Sequence, residues 1–361
     1  MTQALLAGWN QDELYKVSVG LGTYAGTRLV TLEDGVERGM RVIEMRSGGG
    51  LDFDITVDRS ADIGRICIDG QVLSWHSPAG LTSPWLLDRE GDNGQGFLRG
   101  FGGFLNTCGL DHVRQPERDE AEQTNQSALG SVAFPLHGKG TFQPGVIRGH
   151  GLIDDVDEPY IFCEVEFTQA MAFVSALRLR RRIEVPVGSQ KIIIKDVVRN
   201  VGNNSTSQMQ LYHFNIGFPM VAPGTAVHVG DSTCIWKSDE HDPLAAMSDP
   251  QAVAGNQLAI FEHKKNENEK ANETRGEVLV TSPHSGLSLR FEYPVEQLPC
   301  CQLLRMTGQG IYGMGIEPCS TGARSRTEAR QRHEMNILQP GQEQRYDLVL
   351  QFAKLEKSVN S

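Results

Sequence analysis

The chain has 361 residues, a length that allows one large domain or two ordinary ones. Hydrophobic residues make up 39% and charged residues 22%, so there are enough apolar side chains for a globular core. The net charge of −11 disfavours nucleic acid as a partner, because an acidic surface repels phosphate.

Short alternating runs, each ending in turn residues, follow one another from about residue 17 to residue 75. Alternation of apolar and polar side chains predicts strands, and the DG and GGG steps predict tight turns between them. The runs are TYAGTRLVTLEDG, RVIEMRSGGG, LDFDITVDRS, GRICIDG and QVLSWHS.

The strand pattern returns after a glycine-rich and aromatic segment, GFLRGFGGFLNTCGL. EPYIFCEVEF, AFVSALRLRRRIEV and QKIIIKDVVRNVG predict strands, as do LSLRFEYP, CCQLLRM and RYDLVLQFAKLE near the end. The arginines of LRLRRRIEV fit a strand with one solvated face better than a nucleic-acid site. Polar composition predicts loop excursions near residues 113–130 and 237–276.

Glycine is enriched, at 39 of 361 residues, and long helical patterns are scarce, which favours a turn-rich β architecture. We find no repeat of fixed period, no phosphate-binding glycine loop and no linker. The sequence therefore predicts an all-β fold with a single domain over residues 1–361. The sequence pattern does not determine the oligomeric state, and a homodimer is one alternative.

The seven cysteines are odd in number and include no CxxC motif, which favours a reducing compartment. The N-terminus lacks the pattern of a secretion signal, and no run approaches the ~18 apolar residues of a membrane span. We therefore expect a cytoplasmic protein without a membrane partner.

Several polar side chains stand within apolar or glycine-rich surroundings. They are Asn106 and Asp111 in GGFLNTCGLDH, His137 in FPLHGKG, His213 and Asn215 in LYHFN, and Glu317 in YGMGIEP, with Arg59, Arg99 and His150 as weaker candidates. Each alone has a structural explanation, such as a turn, a satisfied core histidine or an ion pair. The proline after Glu317 predicts that this carboxylate lies at a strand end, on the rim of a sheet.

Residues 210–219, QLYHFNIGFP, decide how these candidates combine. Alternate residues of a strand share a face, so Leu211, His213 and Asn215 form one row and Tyr212, Phe214 and Ile216 the other. Burying an imidazole and an amide on one face costs free energy unless both find partners. We expect that face to line a cleft.

The order of these motifs resembles the aldose 1-epimerase (galactose mutarotase) superfamily, in a divergent bacterial branch. FPLHGKGTF looks like the family's LHGG-type segment, LYHFNIGFP is similar to its H-x-Y-F-N-L strand, and YGMGIEPCS stands where the family has its glutamate. The likeness extends from VDRSADIG to LYHFNIGFP and beyond. The chain departs from the family in the shortened H-F-N spacing and in lacking a clear Asn and Arg pair before LHG.

The resemblance implies a large antiparallel β-sandwich with an open carbohydrate cleft. It makes His213 the general acid and Glu317 the general base of a reaction that interconverts sugar anomers. His137 and Asn106 would contact sugar hydroxyls, with Asn215 orienting His213. The partner would be a small sugar or sugar acid, and Arg59 or Arg99 would favour an anionic one; His150 is a further candidate contact.

Ring opening of a hemiacetal suits such a pair, because a base removes the O1 proton while an acid protonates the ring oxygen. A histidine near pKa 6.5 and a carboxylate near ~4.3 supply both functions without a redox cofactor. In this scheme His213 is protonated and Glu317 ionised. Apolar faces for a sugar ring are expected from among the aromatic residues Trp75, Trp85, Phe101, Phe104 and Phe142.

Two other functions remain open. One is a carbohydrate-binding protein without turnover, which would have no need of both His213 and Glu317. The other is an isomerase or lyase acting on a keto sugar or sugar acid, for which His137, His150, His213 and Glu317 could bind a divalent metal. No close histidine spacing supports that set, so we predict no metal and no cofactor.

Overall fold

Strands form in this chain where apolar and polar side chains alternate, and the computed structural model shows that alternation as burial. It describes residues 5–119, 131–252, 258–266 and 274–355. In the strand Tyr160–Met171, for example, buried side chains alternate with half-buried ones along most of its length. One face of the strand therefore packs on the core while the other meets solvent.

The N-terminal third forms a five-stranded antiparallel meander in sequence order. Its strands are β1 (Gly26–Thr31), β2 (Arg41–Arg46), β3 (Leu51–Thr56), β4 (Asp62–Ile68) and β5 (Gln71–Val72).

Two larger antiparallel sheets follow. The seven-stranded sheet contains β6 (Leu105–Leu110), β13 (Thr206–Ile216), β15 (Ser232–Lys237), β16 (Leu258–Lys265), β19 (Cys300–Met306), β20 (Gly313–Cys319) and β21 (Asn336–Leu338). The eight-stranded sheet contains β9 (Val146–Ile153), β10 (Tyr160–Met171), β11 (Ser175–Pro186), β12 (Lys191–Asn200), β14 (Ala226–Val229), β17 (Arg275–Ser282), β18 (Leu287–Pro294) and β22 (Glu343–Lys354).

The remaining elements are short. They are a strand pair, β7 (Glu117–Asp119) and β8 (Val132–Phe134), with the helices α1 (Gln11–Tyr15), α2 (Gly91–Gly94) and α3 (Arg326–Gln331), and the 3₁₀ segments Leu21–Thr23, Gly35–Glu37, Pro84–Leu86 and Gly96–Arg99. None of the described helices is long and apolar enough to cross a membrane.

The main hydrophobic core contains residues from all three large sheets, which makes the fold an antiparallel β-sandwich. Phe214 of β13 packs on Phe291 of β18 with ring centroids 5.1 Å apart, joining the seven-stranded sheet to the eight-stranded one. Tyr212, Phe214 and Ile216 all belong to this core, whereas Leu211 belongs to a second cluster on the other face. The two predicted rows of this strand are confirmed.

A buried arginine ties the three sheets together. Arg181 of β11 pairs with Asp196 of β12 (Nη2 to Oδ2, 2.6 Å), and Asp196 also accepts the hydroxyl of Tyr212 (2.8 Å). The other terminal nitrogen of Arg181 donates to Thr107 of β6 at 2.9 Å and lies 3.4 Å from Asp62 of β4. Such a network is stable only when its charges are paired and hydrogen bonded.

Two loop predictions need correction. The excursion near 113–130 contains β7, and its residues 120–130 lie outside the described residues. The excursion near 237–276 contains β16, of which Phe261–His263 is buried; residues 253–257 and 267–273 lie outside the described residues. The segment LAIFEHKK does not alternate because side chains on both of its faces are covered there. The single domain expected over residues 1–361 stays a prediction.

Candidate functional site

A row of polar side chains crosses one face of the seven-stranded sheet. His213 on β13 is directly opposite Asn106 on β6, Glu317 on β20 is opposite Gln302 on β19, and Gln302 is opposite Glu262 on β16. Residues directly opposite in antiparallel strands share a face. The side chains of His213 and Glu317 are in contact, which connects the residues of β6 and β13 to those of β20, β19 and β16. We call Asn106, His213, Glu317, Gln302 and Glu262 the polar row.

The central contact joins Nε2 of His213 to Oε1 of Glu317 at 3.3 Å. Gln302 donates its amide to the other carboxyl oxygen, Oε2, at 2.9 Å. The His213 side chain is 5% exposed and that of Glu317 is fully buried. The prediction that Glu317 lies on a sheet rim is therefore wrong, since β20 continues through Pro318 to Cys319 between β19 and β13.

Two sequence features make room for this contact. The β13–β20 ladder pairs Leu211 with Cys319 and resumes at Phe214 and Ile316, so it is interrupted beside Pro318, which has no N–H to donate. A Cβ on Gly315 would lie 2.9 Å from Oε1 of Glu317 and 3.4 Å from Cε1 of His213. A side chain at residue 315 would therefore press on both members of the pair.

Burial sets the protonation of the pair. It raises the pKa of Glu317 to about 8, against a lowering effect of Arg114. It lowers the pKa of His213 to about 3, although the amide of Asn215 acts in the opposite direction. Both groups are therefore favoured in their neutral forms at pH 7. This corrects the expected charge state, a protonated His213 and an ionised Glu317, because full burial disfavours either charge.

An ion-pair cluster lies at one end of the polar row. Arg114 contacts Oε2 of Glu262 at 2.7 Å, and its guanidinium also donates to Gln302 and to the carbonyl oxygen of Thr321 (2.6 Å). Arg324 reaches the same Glu262 oxygen at 3.4 Å and lies over the ring of Trp236, 3.8 Å from its centroid. Burial by itself lowers the pKa of Arg114, but pairing with Glu262 outweighs it and raises that pKa. We call Arg114, Glu262 and Arg324 the arginine cluster.

Two amides end the row on the other side. Asn215 donates to the carbonyl oxygen of Gly103 (3.0 Å) and to Oδ1 of Asn106 (3.1 Å). Asn106 in turn donates to the carbonyl oxygen of Gly102 (3.2 Å). Both amides therefore hold the glycine turn that follows Phe101. In Gly102 and Gly103 φ is +157° and +95°, conformations that favour glycine.

That turn positions two aromatic rings beside the pair. Phe101 lies 4.9 Å from the imidazole of His213, edge to face, and Trp75 lies 5.2 Å from Phe101. Trp75 also packs with Leu304, which is two residues beyond Gln302 on the same face of β19. We call Trp75 and Phe101 the aromatic wall. Of the other expected aromatic contacts, Phe104 and Phe142 are in core clusters and Trp85 is exposed.

His137 lies next to His213, with ring centroids 5.5 Å apart. Its Nδ1 accepts the backbone N–H of Arg114 at 3.4 Å, which links the LHG segment to the arginine cluster. Burial, and then the neighbouring His213, lower the pKa of His137 well below its usual range. His137, Asn106, Asn215, His213 and Glu317 are thus brought together.

Four of the candidate residues are not brought to the row. Arg59 is buried and donates to the carbonyl oxygens of Thr82 and Gly100, each at 2.6 Å, so its guanidinium is engaged in holding loops. Arg99 is exposed and pairs with Asp92 at 2.5 Å. His150 is on β9 of the eight-stranded sheet, where its Nδ1 is 2.7 Å from the hydroxyl of Thr27. Asp111 accepts the backbone N–H of Lys139 (3.2 Å).

The proposed metal set of His137, His150, His213 and Glu317 is therefore not assembled. Among the described residues, no group of three or more His, Cys, Asp or Glu side chains is arranged to hold a metal ion. All seven cysteines are free thiols, six of them buried.

Sequence reasoning missed Arg114, Glu262, Gln302 and Arg324. Gln302 and Glu262 become part of the site only through strand register, and Arg114 through a loop. The one available signal in the sequence was Glu262 in LAIFEHKK, a charged residue directly after a run of four apolar side chains.

A family model described as a domain of unknown function, DUF4432, matches residues 37–352. The chain belongs to the DUF4432 family. Among curated proteins, none matches its sequence. This DUF4432 protein is similar in structure to a candidate aldose 1-epimerase from Klebsiella pneumoniae subsp. pneumoniae MGH 78578, with a TM-score of 0.77, 19% identity and coverage of 90% of this chain and 83% of the other.

Two further solved structures have the same fold. A galactose mutarotase-like protein from Clostridium acetobutylicum has a TM-score of 0.60 at 12% identity, covering 91% of this chain and 98% of that one. A galactose 1-epimerase from Lactobacillus acidophilus NCFM has a TM-score of 0.55 at 14% identity, covering 91% and 99%. The expected mutarotase-like sandwich is confirmed, while identities this low show the fold alone.

Proposed function

We propose that this DUF4432 protein interconverts the anomers of a sugar by acid–base ring opening, with His213 and Glu317 as the proton-transfer pair. The observation that carries the proposal is the 3.3 Å contact between a buried imidazole and a buried carboxyl group. Within the described part of the chain, no arginine or lysine forms an ion pair with Glu317, and Arg114 is paired with Glu262. A pair of this kind can hold one proton and exchange it at little electrostatic cost.

In the neutral resting pair the proton is on Glu317 and the neutral imidazole of His213 is free to take one up, so the acid and base roles are the reverse of those that the resemblance implied. His213 takes the O1 proton of the cyclic sugar while Glu317 supplies a proton to the ring oxygen, and the C1–O5 bond breaks. The open aldehyde rotates about C1–C2 and recloses by the reverse transfers. The sugar gains and loses one proton, and nothing is oxidised or reduced.

The side chains around the pair suit a sugar ring. The aromatic wall offers an apolar surface next to His213, and aromatic rings commonly cover the C–H face of such ligands. His137 is the proposed hydroxyl contact, because its ring lies beside that of His213. Asn106 and Asn215 are proposed to position the wall through the glycine turn.

The test is NMR exchange spectroscopy on purified protein with a panel of neutral and acidic sugars. We expect magnetisation transfer between the two anomers of at least one sugar to accelerate in proportion to protein concentration. Unchanged exchange across the whole panel, with the protein folded by circular dichroism, would contradict the proposal. A keto-sugar isomerase or lyase, or a binding protein, would then account better for the site.

A further inference from the structure

The arginine cluster contains more positive charge than its partner neutralises. Arg114 and Arg324 both contact one oxygen of Glu262, at 2.7 and 3.4 Å, while Oε1 of Glu262 has no hydrogen-bond partner among the described residues. Nε of Arg114 is likewise buried and unpartnered. Two guanidinium groups thus share one carboxylate at the end of the polar row.

The two arginines differ in what they can still bind. Arg114 is 5% exposed, and its terminal nitrogens are engaged by Glu262, Gln302 and Thr321. Arg324 is 30% exposed, and within the described residues its guanidinium makes one long hydrogen bond, to Glu262 at 3.4 Å. Its contact with Trp236 orients the planar group and leaves most of its N–H donors available.

The cluster lies at a distance from the catalytic pair that matches a single sugar. Glu262 and Glu317 are separated by one intervening strand, β19, so their Cα atoms are about 10 Å apart at ~4.8 Å per strand. A pyranose whose anomeric carbon meets His213 would extend its exocyclic carbon along the row toward Arg324. A guanidinium binds carboxylate and phosphate through parallel N–H···O bonds, so an anionic group there would be recognised directly.

We propose that the arginine cluster binds an anionic substituent, a phosphate or a carboxylate, on the sugar carbon remote from the anomeric centre. This rests on the proposed function, since it assigns the substrate class of the same site. It also replaces the expectation that Arg59 or Arg99 performs this task, because those arginines are engaged elsewhere.

The test compares glucose, glucose 6-phosphate and glucuronate as substrates in anomer-exchange NMR. We expect kcat/KM of wild type to be at least tenfold higher for one of the anionic sugars than for glucose. Arg324→Gln should lower that ratio roughly 10- to 100-fold, the usual effect of a lost charged hydrogen bond. Arg324→Lys, which keeps the charge, should restore part of it. Whichever anion gives the larger ratio identifies the group.

The matched control is Arg199→Gln, which removes an exposed arginine from β12 of the other large sheet and should leave the ratio unchanged. Equal use of glucose and both anionic sugars, or the same ratio in Arg324→Gln and wild type, would overturn the inference while leaving the proposed function intact.

Calorimetry separates the two proposals if no sugar exchanges faster. Binding of glucose 6-phosphate or glucuronate to wild type and to Glu317→Gln, weakened at least tenfold by Arg324→Gln, would support the anion site although the proposed function had failed. Absence of binding by both anionic sugars would overturn the anion site as well.

Discussion

At the scale of single residues, the chemistry depends on where one proton resides in the His213–Glu317 pair. The neutral pair and the ion pair contain the same number of protons, so both belong to one macroscopic protonation state. What distinguishes them is the environment, and burial that raises the pKa of Glu317 and lowers that of His213 favours the neutral form. Nitrogen-15 NMR of His213 reports this directly, through the shift of a neutral imidazole.

The pH dependence of turnover follows from these directions. The pair is active while it holds one proton, and Glu317 loses that proton as pH rises through about 8. We therefore expect enzyme-catalysed kcat/KM to be flat from pH 5 to 7 and to fall above about 8, after subtraction of uncatalysed exchange. A decline centred well below pH 8 would contradict the raised pKa of Glu317.

Gly315 offers a second test at this scale. A Cβ there would lie 2.9 Å from Oε1 of Glu317 and 2.9 Å from Cβ of Leu304, so Gly315→Ala should displace the carboxyl group. We expect a loss of roughly 10- to 100-fold in kcat, as for other small misplacements, with the protein still folded. Gly26→Ala is the control, because a Cβ there meets nothing within 4 Å. Equal activity of the two variants would show that Glu317 needs no such clearance.

At the scale of elements, register brings the site together. Asn106, His213, Glu317, Gln302 and Glu262 come from five strands, and each is recruited by its position opposite a neighbour. The row of His213 on β13 was predictable, because LYHFN alternates polar and apolar residues and one face had to be polar. Gln302 in CCQLLRM was not predictable, since every residue of that strand is buried and no period distinguishes its two faces.

The buried network on β11 gives a prediction about stability. Arg181 is fully buried against Asp196, so Arg181→Leu would leave that carboxylate buried without its cation. We expect a loss of about 3–5 kcal/mol in the free energy of unfolding by urea. Arg180→Leu, on the solvent face of the same strand, removes an exposed pair with Glu164 and should cost ~1 kcal/mol or less. A loss of free energy of unfolding in Arg181→Leu as small as that in Arg180→Leu would mean that the buried network contributes little to stability.

At the scale of the whole molecule, the sequence predicted the fold class more completely than the site. Alternation identified the strands of the meander and five strands of the eight-stranded sheet, β10, β11, β12, β18 and β22, because each presents one face to the core. The strands β9, β14 and β17 of that sheet were not predicted. It failed for β16, where both faces are covered, and with that strand Glu262 was missed. Arg324 follows a strand in a loop and meets Trp236 only through the tertiary fold, so no local pattern could reveal it.

The overall charge gives the arginine cluster its context. The chain has a net charge of −11, so a cationic end to the polar row is a local exception on an acidic molecule. An acidic surface would slow the encounter with an anionic sugar, more so at low salt. Any preference for an anionic over a neutral sugar would then come from short-range pairing with Arg324. The comparison of charged and neutral sugars therefore tests that pairing.

The shared-proton mechanism is tested most sharply by anomer exchange in His213→Asn, Glu317→Gln and the double variant, with the sugar whose exchange wild type accelerates best. If the two side chains act as one proton-transfer pair, each single variant should lose ~10²- to 10⁴-fold in kcat, and the double variant should lose little more than either. Near-wild-type exchange in either single variant, or losses that multiply in the double variant, would contradict a shared-proton mechanism.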